Sequence, residues 1–239
     1  MYDWKIMRLG QVASTQDVAR EFALSGVNAG LVVVAETQTK GRGSRGRSWH
    51  SPKGGLYMTV VLGPMASIGL LPLLAGLAVA EAINSLVGVE AELKWPNDIL
   101  LRGRKVGGVM AESGWLGNEV KYVLLGIGVN LNNEPSGGLP DATSLSSEAG
   151  IEIDVDSFLR SLIDRLEIHL QRLDVVPQEI VRSWRRLACV FGKVVVVTDG
   201  SGEAVKGVAL DVDEDGSLVL ETEVGQRRLV SGRLEGRYS

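Results

Sequence analysis

Between Glu36 and Glu81 this net acidic chain carries no acidic residue, and inside that interval lies KGRGSRGRSWHSPKGG, residues 40–55, with five cationic side chains and five glycines in sixteen positions. Lys40, Arg42, Arg45, Arg47 and Lys53 concentrate positive charge, while Gly41, Gly43 and Gly46 permit close approach of backbone to a ligand. Three readings suit such a string. Arginine interleaved with glycine meets phosphates in RNA-contacting segments, a glycine-rich loop turns its amides toward a bound phosphate, and a solvated basic loop does neither. The GxG does not run on into a helix, which argues against a dinucleotide-binding turn.

A second constellation is KWPND, residues 94–98, followed by Lys105 in KVGGV. Pro96 fixes its own φ and biases Trp95 toward an extended conformation, so Lys94 and Asp98 are held on a defined turn. Lys94 could there meet a phosphate or carboxylate, and Asp98 could help to hold a magnesium ion. A strand end with a surface ion pair is the plainer alternative. Beside Lys105, the missing side chains of Gly107 and Gly108 would let a ligand lie along the backbone.

Regular elements must position these groups. Ser14 and Thr15 precede QDVAREFALSG, where Val18, Ala19, Phe22 and Ala23 share a helical face and Gly26 can close the end. LVVVAE, ending at Glu36, and LYMTVVL, residues 56–62, read as core strands joined by the basic loop. Residues 70–87 suit a helix packed on a sheet, and KVGGVMAES and KYVLLGIGVNLN add strands after a turn at 102–104. Phe158, Leu159, Leu162, Ile163, Leu166 and Leu170 mark an amphipathic helix over 156–173, and a last helix spans 178–189. After Phe191 come short alternating strands with a turn at Asp215 and Gly216, the pattern of a small β-barrel appendage.

Composition removes several classes. A chain of 239 residues suits one main domain with a small appendage. A formal charge of -4 opposes nonspecific nucleic-acid binding as the main activity, since that needs many phosphate contacts from a basic surface. Cys189 is the single cysteine, which excludes an internal disulfide, and with His50 and His169 alone there is no zinc cluster. We expect Cys189 to be a buried structural residue, and the reducing cytoplasm to be the setting. Asp3 and Lys5 interrupt any signal-peptide core. The longest apolar run, residues 68–87, contains Pro72 and Glu81 and reads as a buried helix rather than a membrane span.

Ser14-Thr15-Gln16, QTKGRGSRGRSW (38–49), SPKGGLYMTVVL (51–62), KWPNDILL (94–101), RKVGGVMAE (104–112) and GIGVNLN (126–132) together resemble the biotin protein ligase family, over almost the whole chain. The resemblance implies an α/β fold with a mixed-sheet catalytic domain, residues 1–189, related to class II aminoacyl-tRNA synthetases, and an SH3-like β-barrel, residues 190–239. It implies ATP and biotin as substrates, Mg2+ as the accompanying ion, and biotinyl-5′-AMP as the intermediate. The biotinyl group would then pass to one lysine of a biotin carboxyl carrier protein or domain. By the same pattern Ser14, Thr15 and Gln38 bond the ureido ring, and Gly41, Arg42 and Gly43 cover the biotin tail and carboxylate. Arg45 and Arg47 meet phosphates, while Lys105, with Gly107 and Gly108 beside it, stands at the carboxylate and α-phosphate. Lys94 and Asp98 fall on the nucleotide and magnesium side. Trp49 either stacks near the adenylate or packs in the core, and Asn130 either approaches adenine or turns a strand end. Arg237 aligns with an arginine that reaches the nucleotide from the small domain. Some members form a homodimer through the catalytic sheet.

Two departures carry expectations. Many members have an arginine where this chain has Ser44, so we expect readier release of the adenylate here. Some members add an N-terminal DNA-binding domain, whereas here the ligase pattern starts within fifteen residues, so no DNA partner is expected. Lipoate ligases and octanoyl transferases share the catalytic fold but lack the paired KWPND and arginine-glycine loop in this form. A biotin sensor or an RNA-contacting module is the rival from another class.

Overall fold

The computed structural model describes residues 2–27, 29–135, 141–173 and 175–235. Seven strands, β1 (Lys5–Val12), β2 (Leu31–Gln38), β3 (Leu56–Leu62), β4 (Glu92–Lys94), β5 (Asp98–Leu101), β6 (Arg104–Leu116) and β7 (Glu119–Val129), form one sheet in the order β1-β2-β3-β7-β6-β5-β4. β1 and β2 run parallel, and the remaining neighbours are antiparallel, so the sheet is mixed. The parallel pair needs a crossover, which α1 (Thr15–Leu24) supplies.

Side-chain alternation assigns the two faces. On β2, Leu31 and Val33 join Ala19 of α1, with Phe22 packed alongside, while Val32 and Val34 face the larger core. That core is filled by α2 (Leu71–Val87), α4 (Val155–Leu173) and α5 (Pro177–Leu187). Residues 68–87 are long and apolar enough in composition to cross a membrane, yet most of the run is buried in this fold. The six apolar positions of the amphipathic pattern in α4 are all buried, as the spacing predicts.

Three features differ from the sequence reading. β1 is an edge strand whose side chains are mostly exposed, so it lacks a run of buried apolar residues to announce it. The five-residue α3 (Leu145–Ala149) is too short and polar for periodicity to reveal. The last helix stops at Leu187 rather than 189, because Ala188 turns extended and bridges Leu93 while the Cys189 N–H bonds the Leu93 carbonyl at 3.0 Å. Those two residues thus extend the free edge of β4. Cys189 is buried, which pushes its thiol up to about 11.

Five further strands, β8 (Val194–Asp199), β9 (Ala204–Val212), β10 (Leu218–Thr222), β11 (Gly225–Leu229) and β12 (Gly232–Glu235), form an antiparallel sheet in the order β11-β10-β9-β8-β12. It docks on the larger unit through Trp95. That residue is 1% exposed, and its indole N–H donates to the Gly216 carbonyl at 2.9 Å. Gly232 lies against the indole ring, where a Cβ would come within 3.3 Å. Arg185 on α5 adds bonds to Asp211 at 2.6 Å and to the Val212 carbonyl at 2.7 Å.

Candidate active site

On the α1 side of the sheet, beyond the end of α1, the register brings glycines together. Gly108 of β6 stands opposite Gly128 of β7, and the neighbouring row places Thr59 of β3 opposite Gly126. These positions leave a trough whose floor is bare backbone. Trp49 lies over it, since a Cβ at Gly128 would come 2.7 Å from the indole nitrogen. The sequence motif KVGGV thus has one glycine in the floor, Gly108. Gly107 instead packs across the sheet, with space for a Cβ closed by the Gly128 carbonyl at 3.2 Å and by Ile99.

The trough is one wall of a cleft enclosing about 630 Å3 of space open to solvent, lined by Ser14, Thr15, Gln38, Arg42, Gly43 and Lys105 among others. Ser14 caps α1 by accepting the Gln16 N–H, which fixes its hydroxyl at the cleft. Gln38 accepts the Thr15 N–H at 2.8 Å and donates to Ser51 Oγ at 2.8 Å, so its carboxamide is held from both ends. Gly41 is buried against that same junction. A Cβ there would stand 2.3 Å from the Trp49 carbonyl oxygen and 2.6 Å from Ser51 Oγ, which is why a glycine is required.

The basic loop is tied down by backbone bonds: Trp49 N–H to the Gly41 carbonyl, Gly43 N–H to that of Arg47, and Lys40 N–H to that of Ala13, each at 2.8 Å. Arg45 adopts φ 59°, a conformation unfavourable for a residue with a Cβ. Arg45 lines a second concavity, about 1220 Å3 of space open to solvent, together with Arg47, Lys94, Asp98 and Arg233. Burial and the neighbouring Arg47 pull the Arg45 guanidinium below its ordinary range, and burial does the same to Lys94. In both cases burial is the larger cause and the nearby Asp98 carboxylate offsets part of it. A third concavity holds Trp49, His50, Asn130 and Ala142. Trp49 is therefore a wall residue of the site and not a core residue.

Lys105 lines all three spaces. Its ammonium pairs with Asp98 and lies 5.3 Å from the Trp49 ring centroid. Its backbone is fixed by bonds with Asp141 and Thr143 at 2.7 and 2.9 Å. Thr143 in turn donates to the buried Glu148 of α3, which also pairs with Arg104. Asn130 is engaged in the same corner, donating to the Thr143 carbonyl and accepting from Asn133.

One expected residue is already engaged by the protein's own carboxylates. The Arg42 guanidinium is held by Asp17 at 2.8 Å and Glu112 at 3.1 Å, and Arg20 joins the same carboxylates. Arg237 lies outside the described residues. Sequence reasoning passed over Thr59, Gln16, Asn97 and Arg233. Thr59 carried a legible signal, a hydroxyl in the middle of the otherwise apolar LYMTVVL. Asn97 belongs to KWPND and donates to the Val109 carbonyl at 2.6 Å, which ties that turn to β6.

A small polar cleft and a cation-lined cavity thus meet at one lysine, an arrangement suited to a polar ligand held beside an anionic one. Residues 9–130 match the biotin/lipoate A/B protein ligase family, and residues 190–234 match the biotin protein ligase C-terminal domain. The biotin--[acetyl-CoA-carboxylase] ligase of Paracoccus denitrificans is 34% identical over 92% of this chain and 95% of its own. The bifunctional ligase/repressor BirA of Bacillus subtilis is 34% identical over 94% of this chain and 71% of its own. Among solved structures, the biotin protein ligase of Aquifex aeolicus in complex with biotin and ATP superposes with a TM-score of 0.86. It is 30% identical and covers 98% of this chain and 99% of its own. The chain belongs to the biotin/lipoate A/B protein ligase family, on its biotin protein ligase side.

Proposed function

We propose that this protein joins biotin to ATP, releasing pyrophosphate, and transfers the biotinyl group to a lysine of a biotin carboxyl carrier domain. The observation that carries this reading is the place of Lys105, at the junction of all three spaces. The polar cleft takes the ureido ring, which needs partners for two N–H groups and a carbonyl. The cation-lined cavity takes the phosphates, and the concavity at Trp49 and Asn130 takes the nucleoside.

In the first step a biotin carboxylate oxygen bonds to the α-phosphorus, and the bond from that phosphorus to the bridging oxygen breaks. Pyrophosphate leaves with the electron pair. Negative charge thus approaches negative charge, and Lys105 is placed to offset it at the reacting atoms while Arg45, Arg47 and Lys94 offset it along the leaving group. In the second step the neutral amine of the carrier lysine attacks the acyl carbon, AMP leaves with the electron pair of the acyl–oxygen bond, and the nitrogen gives up one proton to solvent.

Magnesium would shield the phosphate charge. Asp98 lines the phosphate cavity and suits it as a protein ligand. Among the described residues no group of three His, Cys, Asp or Glu side chains is arranged to hold a metal, so the phosphates would supply most of its ligands, as is common for this ion. The domain division at 189/190 and pairing of two copies through the catalytic sheet belong to the same reading. The free edge of β1 is a surface such pairing can use.

Two variants probe the loop. Arg42→Ala should weaken biotin binding about tenfold, a charged hydrogen-bond loss, while leaving the unfolding midpoint nearly unchanged because exposed ion pairs stabilise little. Titration calorimetry and thermal melts check this together. Ser44 Oγ accepts from Arg47 at 3.0 Å, so the serine holds an arginine of the phosphate cavity rather than supplying a cation itself. Ser44→Arg should slow biotinyl-AMP dissociation about tenfold through one added charge-assisted bond. An unchanged dissociation rate would end the idea that Ser44 loosens retention. The whole reaction is tested by mass spectrometry of a purified carrier domain incubated with the protein, biotin and MgATP. One biotinyl addition on a single lysine is the expected result, and an unmodified carrier with well-folded protein would refute transfer.

A further inference from the structure

Four charged side chains close a ring beside the polar cleft. Arg42 of the basic loop bonds Asp17 at 2.8 Å and Glu112 at 3.1 Å, and Arg20 bonds the same two carboxylates at 2.7 and 2.5 Å. Each cation thus meets both anions. Asp17 and Arg20 come from one turn of α1, while Glu112 stands on β6 on the face of Gly108 and Met110, so the ring ties the loop to a helix and to the sheet at once. An isolated ion pair at such partly exposed positions contributes little, but several charges joined in one network hold more firmly.

The loop has need of that tie. Gly43 N–H bonds the Arg47 carbonyl and Trp49 N–H that of Gly41, bonds that shape the loop without attaching it to the body, and Asn97 reaches Ser44 Oγ at a long 3.5 Å. Yet Arg42, Gly43, Ser44, Arg47 and Trp49 all line the cleft, so the loop covers whatever the cleft holds. Moving the Arg42 guanidinium onto an anionic ligand would leave Arg20 alone with two carboxylates beside that ligand, which Coulomb repulsion disfavours. Arg47, whose guanidinium bonds the neutral Ser44, lines the same cleft and can meet the anion instead. Resting on the reading that this cleft binds biotin and forms its adenylate, we propose that Asp17 and Glu112 are positioning residues that hold Arg42 as a latch, keeping the basic loop closed over the ligand while the guanidinium stays on the carboxylates. A loop closed before binding does not have to be ordered by the ligand, so losing the latch lowers the closed fraction and weakens affinity in the same proportion.

The test uses the neutral isosteres Glu112→Gln and Asp17→Asn in the full chain, each read in two ways. Stopped-flow gives the release rates of biotin and biotinyl-AMP, and mass spectrometry locates tryptic cuts within residues 40–53 of the ligand-free protein. Each variant should release both ligands about tenfold faster and be cut in the loop several-fold faster, with the unfolding midpoint nearly unchanged. Adding Glu112→Gln to Arg42→Ala should speed release no further, because the latch is already lost. Slower release and tighter binding in the isosteres would overturn the proposal, since the carboxylates would then be competing with the ligand for Arg42. Wild-type release rates in both variants would overturn it as well, and so would faster release with unchanged cutting of the loop. A wild-type protein that binds no biotin would overturn the functional reading and the ligand's part in this proposal, while the cutting would still decide whether the ring holds the loop.

Discussion

Lys105→Ala should lower the rate of adenylate formation by about a hundred- to a thousandfold, the usual consequence of removing one group that stabilises transition-state charge. Folding should be nearly unaffected. The backbone bonds that hold residue 105 to Asp141 and Thr143 do not involve its side chain, and the ammonium is partly exposed, so its ion pair with Asp98 contributes little stability. The loss should fall on kcat more than on the biotin KM, because the charge is needed most as the carboxylate oxygen meets the α-phosphorus. Lys105→Arg should restore only part of the rate, since a planar guanidinium does not reproduce a compact ammonium at a junction this narrow. Single-turnover formation of biotinyl-AMP is the measurement. Near-normal adenylation in Lys105→Ala would show that the reacting atoms lie elsewhere.

Trp95→Ala should destabilise the protein by about 3 to 5 kcal/mol, the range for truncating a large buried aromatic residue. With roughly 2 to 4 °C lost per kcal/mol in a chain of this size, the unfolding midpoint should drop by about 10 °C. Trp95 is packed in the core of the larger unit while its indole N–H holds the Gly216 carbonyl of the smaller one. Truncation therefore opens a cavity and releases the small sheet at once. Gly232, Arg233, Leu234 and Glu235 of that sheet form part of the cation-lined cavity. The KM for ATP should consequently rise even at temperatures where Trp95→Ala remains folded. Trp95→Phe keeps most of the packing and leaves the Gly216 carbonyl without this donor, so about 1 to 2 kcal/mol is expected. A Trp95→Ala midpoint within a degree or two of wild type would mean that the indole does not join the two units.

Much of this was legible before any coordinates. The continuous apolar run LYMTVVL ends at a glycine on either side, and β3 has those bounds because both its faces are covered. The stripe of α4 follows from burial on one face only. The basic loop, KWPND and Lys105 were identifiable by type and spacing, and the fold brings them to two adjoining spaces that share Lys105.

Other features depend on register, which residue types do not determine. Gly108 and Gly128 are twenty residues apart in sequence yet face each other across β6 and β7, and only that pairing makes a floor. The commitment of Arg42 to Asp17 and Glu112 depends on α1 lying beside β6, which no local pattern states. Arg233 escaped notice because a cation on a short strand of the small sheet looks like any solvated arginine until Trp95 docks that sheet against the cation-lined cavity. Gln16 was hidden behind its neighbours Ser14 and Thr15, whose hydroxyls are the more familiar ligands of a polar ring.

The measurement that bears most directly on the central claim is pyrophosphate release from ATP by the purified wild-type protein, with and without biotin and magnesium. The account predicts release that requires both and that stops after about one equivalent per active site when no carrier domain is present, apart from slow turnover as the adenylate dissociates. No biotin-dependent release from folded protein would contradict it.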